Sequence, residues 1–248
     1  MLLSRLCKHL TQILNIMKLA TDKSHRDYFY KHGTIEFDGL FSLEQIQQLN
    51  TAIDDLLSLT FKNIALQLQN AEDIFLCGHD LYRKDERIQK QVLNRRLAEI
   101  ALELMEARGL RIGYDQLLVG QSGQANVNAN ALYNQFLQSV GSLQDKSCVQ
   151  PLVCGLVICL QPSLSLEIPP VILPQTLGNG VFFKSDLPLD LSYLSHAKGG
   201  RYLMIAYAEP RSIYVLNDQD PHTHSLKHRG YVFGDRLSDK LNPLIIRS

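Results

Sequence analysis

Apolar and polar residues alternate through Gly33-Thr34-Ile35-Glu36-Phe37-Asp38-Gly39, as in a half-buried strand. The spacing then changes to a helical one at Ile46, Leu49, Ile53, Leu56 and Leu57. Between the two lies Ser42-Leu43-Glu44-Gln45, a capping box: the Ser hydroxyl takes an amide proton of the first turn and the Gln side chain reaches back. The pattern predicts a strand, a short loop and an amphipathic helix. A second helix is predicted over 85–108, with Leu93, Leu97, Ile100 and Leu104 as its apolar face and Gly109 as its end. Arg87, Lys90, Arg95 and Arg96 read as its solvated side.

After Gly109 the pattern changes. Strands are predicted at 112–119, 152–160, 181–183, 201–208 and 212–216. Residues 120–130 are mostly Gly, Gln, Asn and Ala and read as a loop. Residues 162–174 hold four prolines and must be mostly extended or turn. Helices followed by many short strands predict an α+β chain whose C-terminal half is a β-sandwich or barrel.

The length of 248 residues suits one large domain, expected over 28–248. Residues 1–27 read as an N-terminal amphipathic extension carrying Leu10, Ile13, Leu14 and Met17, with Met17 as a second candidate start. Lys plus Arg equals Asp plus Glu, 25 each, which argues against a dedicated nucleic-acid binder. No apolar run is long enough to span a membrane. Five cysteines at 7, 77, 148, 154 and 159 fit no zinc or redox spacing and read as reduced thiols of a cytoplasmic protein.

The segment Tyr30–Ile46 resembles the opening of the phytanoyl-CoA dioxygenase-like family: an aromatic, a Gly, a short apolar strand, a Gly39-Leu40-Phe41 turn and a Ser-led helix. Asp115-Gln116-Leu117-Leu118 is similar to the strand before that family's metal site. Gly180-Val181-Phe182-Phe183 is similar to the strand before its second metal histidine, and Arg201–Tyr207 to the strand whose arginine holds the cosubstrate. The series spans most of 28–216. The resemblance implies a double-stranded β-helix, a jelly-roll-like and cupin-like core with supporting N-terminal helices. It also implies iron(II) and 2-oxoglutarate as cofactors. Such iron sits on two His and one carboxylate, leaving positions open for cosubstrate and oxygen. The arginine grips the far carboxylate with two parallel hydrogen bonds.

The sequence departs from that template at the metal. The counterpart of the His-x-Asp triplet is Leu143-Gln144-Asp145, and the expected second histidine falls in 184–189, where there is none; the nearest is His196. The carboxylate, Asp145, is present and Arg201 matches the arginine position, so two of the three metal ligands, both histidines, are missing. The expectation is the fold without the oxygenase reaction, with Arg201 free for a small carboxylate or phosphate ligand. The second reading is an active dioxygenase with a re-drawn metal site, from Asp145 with His196 or from His222 with His224. The third is a metal-responsive regulator touching DNA.

The motif Pro221-His222-Thr223-His224, with His228 beyond it, would put His222 and His224 on one face of a strand beside Asp218 or Asp220. The bland alternative is a His-rich surface loop. The His79-Asp80 pair reads as a loop or cap. The basic stretch 227–236 reads as a loop that packs Tyr231 and Phe233.

Overall fold

The computed structural model describes residues 21–64, 70–121 and 132–247. Helix α1 (Lys23–His32) starts at a capping box, in which the Asp22 carboxylate accepts from the His25 amide and His25 Nδ1 accepts from the Asp22 amide. The expected domain boundary after residue 27 falls inside this helix; residues 1–20 lie outside the described residues. Gly33, at φ 75°, ends α1 in the left-handed conformation and hands the chain to strand β1 (Thr34–Phe37).

The predicted capping box at Ser42 is present. The Gln45 amide donates to Ser42 Oγ at 3.2 Å, and the Ser42 amide donates to Gln45 Oε1 at 2.9 Å. Helix α2 (Leu43–Ile64) buries Ile46, Leu49, Ile53 and Leu57, as its spacing predicts. Helix α3 (Ala71–Cys77) follows, capped by Asn70.

The single helix expected over 85–108 is two helices, α4 (Glu86–Val92) and α5 (Arg95–Met105). Asn94 breaks it: its backbone is extended and its side chain caps the Arg96 amide at 2.9 Å. Asn satisfies a free amide better at a helix start than it packs in a helix interior, so it opens a second helix. Leu97, Ile100 and Leu104 form the buried face of α5, whose C-cap is Glu106 at φ 49° rather than Gly109.

Strands β2 (Gly109–Val119), β3 (Val149–Gln161), β4 (Gly180–Lys184), β5 (Arg201–Tyr214) and β6 (Leu244–Arg247) join β1 in one antiparallel sheet, and helix α6 (Leu132–Gln138) lies between β2 and β3 in sequence. The strand order is β1-β4-β3-β5-β2-β6. The two strands expected at 201–208 and 212–216 are one strand, β5. Pro210 is tolerated because it sits where the pairing to β3 lapses, between the Leu152–Ala208 and Gln150–Ile213 pairs. The architecture is helices with one six-stranded antiparallel sheet, not a separate C-terminal β half: β1 comes from the N-terminal part and forms an edge.

Both sheet faces are buried. Leu203, Ile205 and Tyr207 of β5 pack with the apolar faces of α2, α4 and α5. Tyr202, Met204, Ala206 and Ala208 point the other way, into an inner cluster with Phe75 of α3, Tyr133 and Phe136 of α6, and the long loops. Gly155 of β3 lies opposite Phe183 of β4; a Cβ there would stand 2.1 Å from the Phe183 ring, so only glycine fits. The proline-rich segment 162–174 carries no helix or strand, as predicted.

Candidate functional site

A metal triad built on the 143–145 and 184–189 segments needs those segments side by side, and they are. The Gln144 amide donates to Ser185 O and the Leu189 amide to Gly141 O, both at 2.9 Å, and Ser142 bridges Pro188. The side chains that face inward there are apolar. Leu143 is fully buried and Leu189 nearly so, in the same inner cluster as Phe183 and Met204. Asp145 is exposed; its Oδ2 accepts from the amide and hydroxyl of Ser142, both at 2.8 Å, which holds its carboxyl below the usual range. Leucine offers no lone pair, so the inward-facing Leu143 and Leu189 are not ligands for iron(II).

Arg201 opens β5. Its parity puts it on the helical face with Leu203 and Ile205, while its neighbour Tyr202 turns into the inner cluster. The guanidinium meets Asp54 of α2 at 2.7 Å. His196 is at the surface, where Nε2 lies 2.5 Å from Glu167 Oε2. Residues 221–230 are turns and a short 3-10 helix, not a strand, so His222 and His224 do not share a strand face. His224 is exposed near Phe233, while His222 turns inward. The reason is local: the Asp220 carboxylate accepts from the His222 amide at 2.7 Å and from the Cys148 amide at 2.6 Å, which tightens the chain into a turn and ties it to the sheet. Asp145, His196, His222 and His224 thus have separate surroundings. Among the described residues no three His, Cys, Asp or Glu side chains are grouped to hold a metal ion.

What the fold does assemble is a polar cluster from three pieces far apart in sequence, 79–83, 115–116 and His222. The His222 ring stacks on His79 with centroids 4.0 Å apart and planes 12° apart, and both contact aromatic rings, Phe75 and Tyr114 respectively. His79 is fixed by Gln116 of β2, its Nδ1 3.2 Å from Oε1. Parallel rings carry their lone pairs in planes that do not meet, so this pair cannot chelate one ion as it stands. Burial lowers His79 to about 3 and His222 to about 2, and both rings are neutral at pH 7.

Asp80 follows directly, held at φ 54° in the left-handed region. Its Oδ2 takes the Arg83 Nε proton at 2.7 Å in a buried ion pair. Asp115 of β2 accepts the Leu81 and Tyr82 amides at 3.1 and 3.0 Å; burial, and then the neighbouring Asp80, raise it to about 7. Asp80 Oδ1, Arg83 Nη2 and His222 Nε2 are buried with no partner among the described residues.

Lys146, the neighbour of Asp145, is buried although nothing around it in sequence signals that. It is 1% exposed, donates from Nζ to Phe136 O at 3.2 Å and lies over the Phe136 ring. Burial lowers it to about 8. A charged side chain next to another charged one reads as surface in any pattern analysis. The His79–His222 contact had a signal only in halves, as two motifs with no reason to be joined.

No family model matches the chain, and no curated protein matches it. Solved structures do. The non-heme α-ketoglutarate-dependent carbocyclase SnoK from nogalamycin biosynthesis superposes with a TM-score of 0.63 at 14% identity, over 91% of this chain and 97% of its own. The non-heme α-ketoglutarate-dependent epimerase SnoN from the same biosynthesis gives 0.63 at 11% identity, over 91% and 100%. CytC3 with Fe(II) and α-ketoglutarate gives 0.52 at 10% identity, over 79% and 80%. At these identities the likeness shows the fold alone: this chain has the fold of non-heme, α-ketoglutarate-dependent enzymes.

Proposed function

We propose that the chain is a binding protein built on that scaffold rather than a 2-oxoglutarate oxygenase. It is a divergent relative of the phytanoyl-CoA dioxygenase-like family, whose sheet is one half of a double-stranded β-helix. One observation carries the reading: where the resemblance calls for metal histidines, the two apposed segments present Leu143 and Leu189 to the inner cluster. Leucines in a close-packed interior supply packing, not coordination. Arg201 pairs with the largely exposed Asp54, a surface carboxylate that an incoming carboxylate or phosphate can displace. The function is then recognition of a small carboxylate or phosphate, or of a partner. The second reading, a re-drawn metal site, finds no support in the separate partners of Asp145, His196, His222 and His224. A cytoplasmic setting accords with four unpaired cysteines among the described residues, and no helix there is long and apolar enough to cross a membrane.

The test is an anaerobic iron(II) titration followed by calorimetry with 2-oxoglutarate, on wild type and Arg201→Ala. The expected result is no stoichiometric iron and no iron-dependent 2-oxoglutarate binding. One equivalent of iron, with 2-oxoglutarate binding that needs both iron and Arg201, overturns the reading and makes the protein an oxygenase. Calorimetry with inorganic phosphate and succinate, without metal, then probes the ligand class.

A further inference from the structure

The segment 162–171 inverts the usual rule for a surface loop. Its polar side chains are used within the protein: Ser163 Oγ accepts the Ser165 amide, Ser165 Oγ accepts the Glu167 amide, and Glu167 reaches His196. The Leu164 amide is tied to Lys198 O at 2.9 Å. Its apolar side chains are left in water. Leu166 and Ile168 are essentially fully exposed, and Leu164 and Val171 about three-quarters exposed. A row of apolar side chains held outward by internal hydrogen bonds is a ridge, not a collapsed loop.

Directly beside the ridge lies a groove of about 410 Å³, lined by Tyr28, Pro170, Val171, Leu187 and Pro188. Val171 belongs to both. The ridge and the groove are therefore continuous at Val171, and a twofold axis beside it sets the ridge of each copy against the groove of the other. We propose that this face is the interface of a homodimer. The four ridge side chains leave roughly 500 Å² of apolar surface in water, toward the upper end of the largest patch on a typical monomer, which is often functional. Two copies bury about twice that from the ridges alone, and the groove walls carry the total to the lower range of specific interfaces, ~1,200 Å². Charge decides between a second copy and a lipid surface. His32 and Asp190 line the groove, and the paired Glu167 and His196 stand with Lys198 at the ridge, a mixed set of charges without the basic excess that draws an anionic membrane. A chain with zero net charge does not repel its own kind.

The experiment is sedimentation velocity on the full chain from about 1 to 100 μM, a span that brackets micromolar self-association. It is run on wild type, on Leu166→Glu with Ile168→Glu, and on Leu59→Glu, an exposed leucine of α2. Thermal melts check that each variant is folded. Wild type and Leu59→Glu are expected to dimerise, and the double variant to bind itself at least tenfold more weakly with an unchanged fold. A wild type that is monomeric throughout, or a double variant that dimerises as well as wild type, overturns the proposal. Flotation with zwitterionic phosphatidylcholine vesicles is run alongside. A monomer that binds vesicles through Leu166 and Ile168 overturns the dimer and assigns the ridge to lipid.

Discussion

Replacing Leu143 by alanine tests whether apolar packing has taken the place of the metal. The side chain is fully buried in the inner cluster, so the change removes three buried carbons at about 0.8 kcal/mol each, or ~2.4 kcal/mol of transfer free energy. A residual cavity of a few tens of Å³ at ~24 cal/mol per Å³ adds about 1 kcal/mol. The expected loss is about 3–4 kcal/mol, which for a chain of this size lowers Tm by roughly 6–16 °C. The companion Asp145→Ala removes only an exposed turn cap and is expected to cost about 1 kcal/mol or less. The chain has no tryptophan and ten tyrosines, so urea denaturation is followed by tyrosine fluorescence and far-UV circular dichroism. In an oxygenase the order reverses: ligand positions carry metal affinity and little packing. A loss below about 1 kcal/mol at Leu143 refutes the reasoning, as does a wild type whose Tm rises on adding iron(II).

Four further outcomes follow from the same geometry. Asp115 is raised to about 7 in the folded chain, so wild type loses stability relative to Asp115→Asn as pH rises from about 4 to 7, by an amount on the order of 2–4 kcal/mol; a pH-independent difference in urea midpoint refutes it. His222 is lowered to about 2, so its contribution is present above about pH 6.5 and is lost as pH falls from there toward 2. His222→Phe flattens that slope, and parallel stability curves for variant and wild type would count against it. Gly155→Ala forces a carbon into the Phe183 ring and is expected to cost about 1–3 kcal/mol or more, with recovery in the Gly155→Ala, Phe183→Leu double variant. Because Asp54 is largely exposed, a double-mutant cycle on Arg201 and Asp54 should give a coupling of about 0–1 kcal/mol; a coupling above about 2 kcal/mol would show the pair to be structural.

The elements were legible where their signals are local. The strand at 34–37, the capping box at Ser42 and the apolar stripe of α2 depend on residues three or four apart, and a chain read in one dimension contains those distances. The same locality misled at Asn94, where apolar spacing continues across a residue whose own side chain starts a new helix, and at Pro210, where a proline that usually ends a strand sits in a gap of the pairing. That position 143 is a leucine and that 184–189 holds no histidine is also legible in one dimension.

What only the tertiary structure decided is which distant groups meet, and which way each side chain faces. Asp145 and Lys146 are adjacent, yet the exposed one is the carboxylate and the buried one the lysine. Arg201 and Tyr202 are adjacent, yet one turns to α2 and the other to the interior, because a strand alternates its faces and only packing says which face is which. His79 and His222 had no reason in sequence to touch. Their contact exists because α3 delivers one to the edge of β2, and the Asp220 turn folds the other over it. Local hydrogen-bond chemistry is written in neighbouring residues; the meeting of remote polar groups is set by how the sheet and its helices close around a shared core.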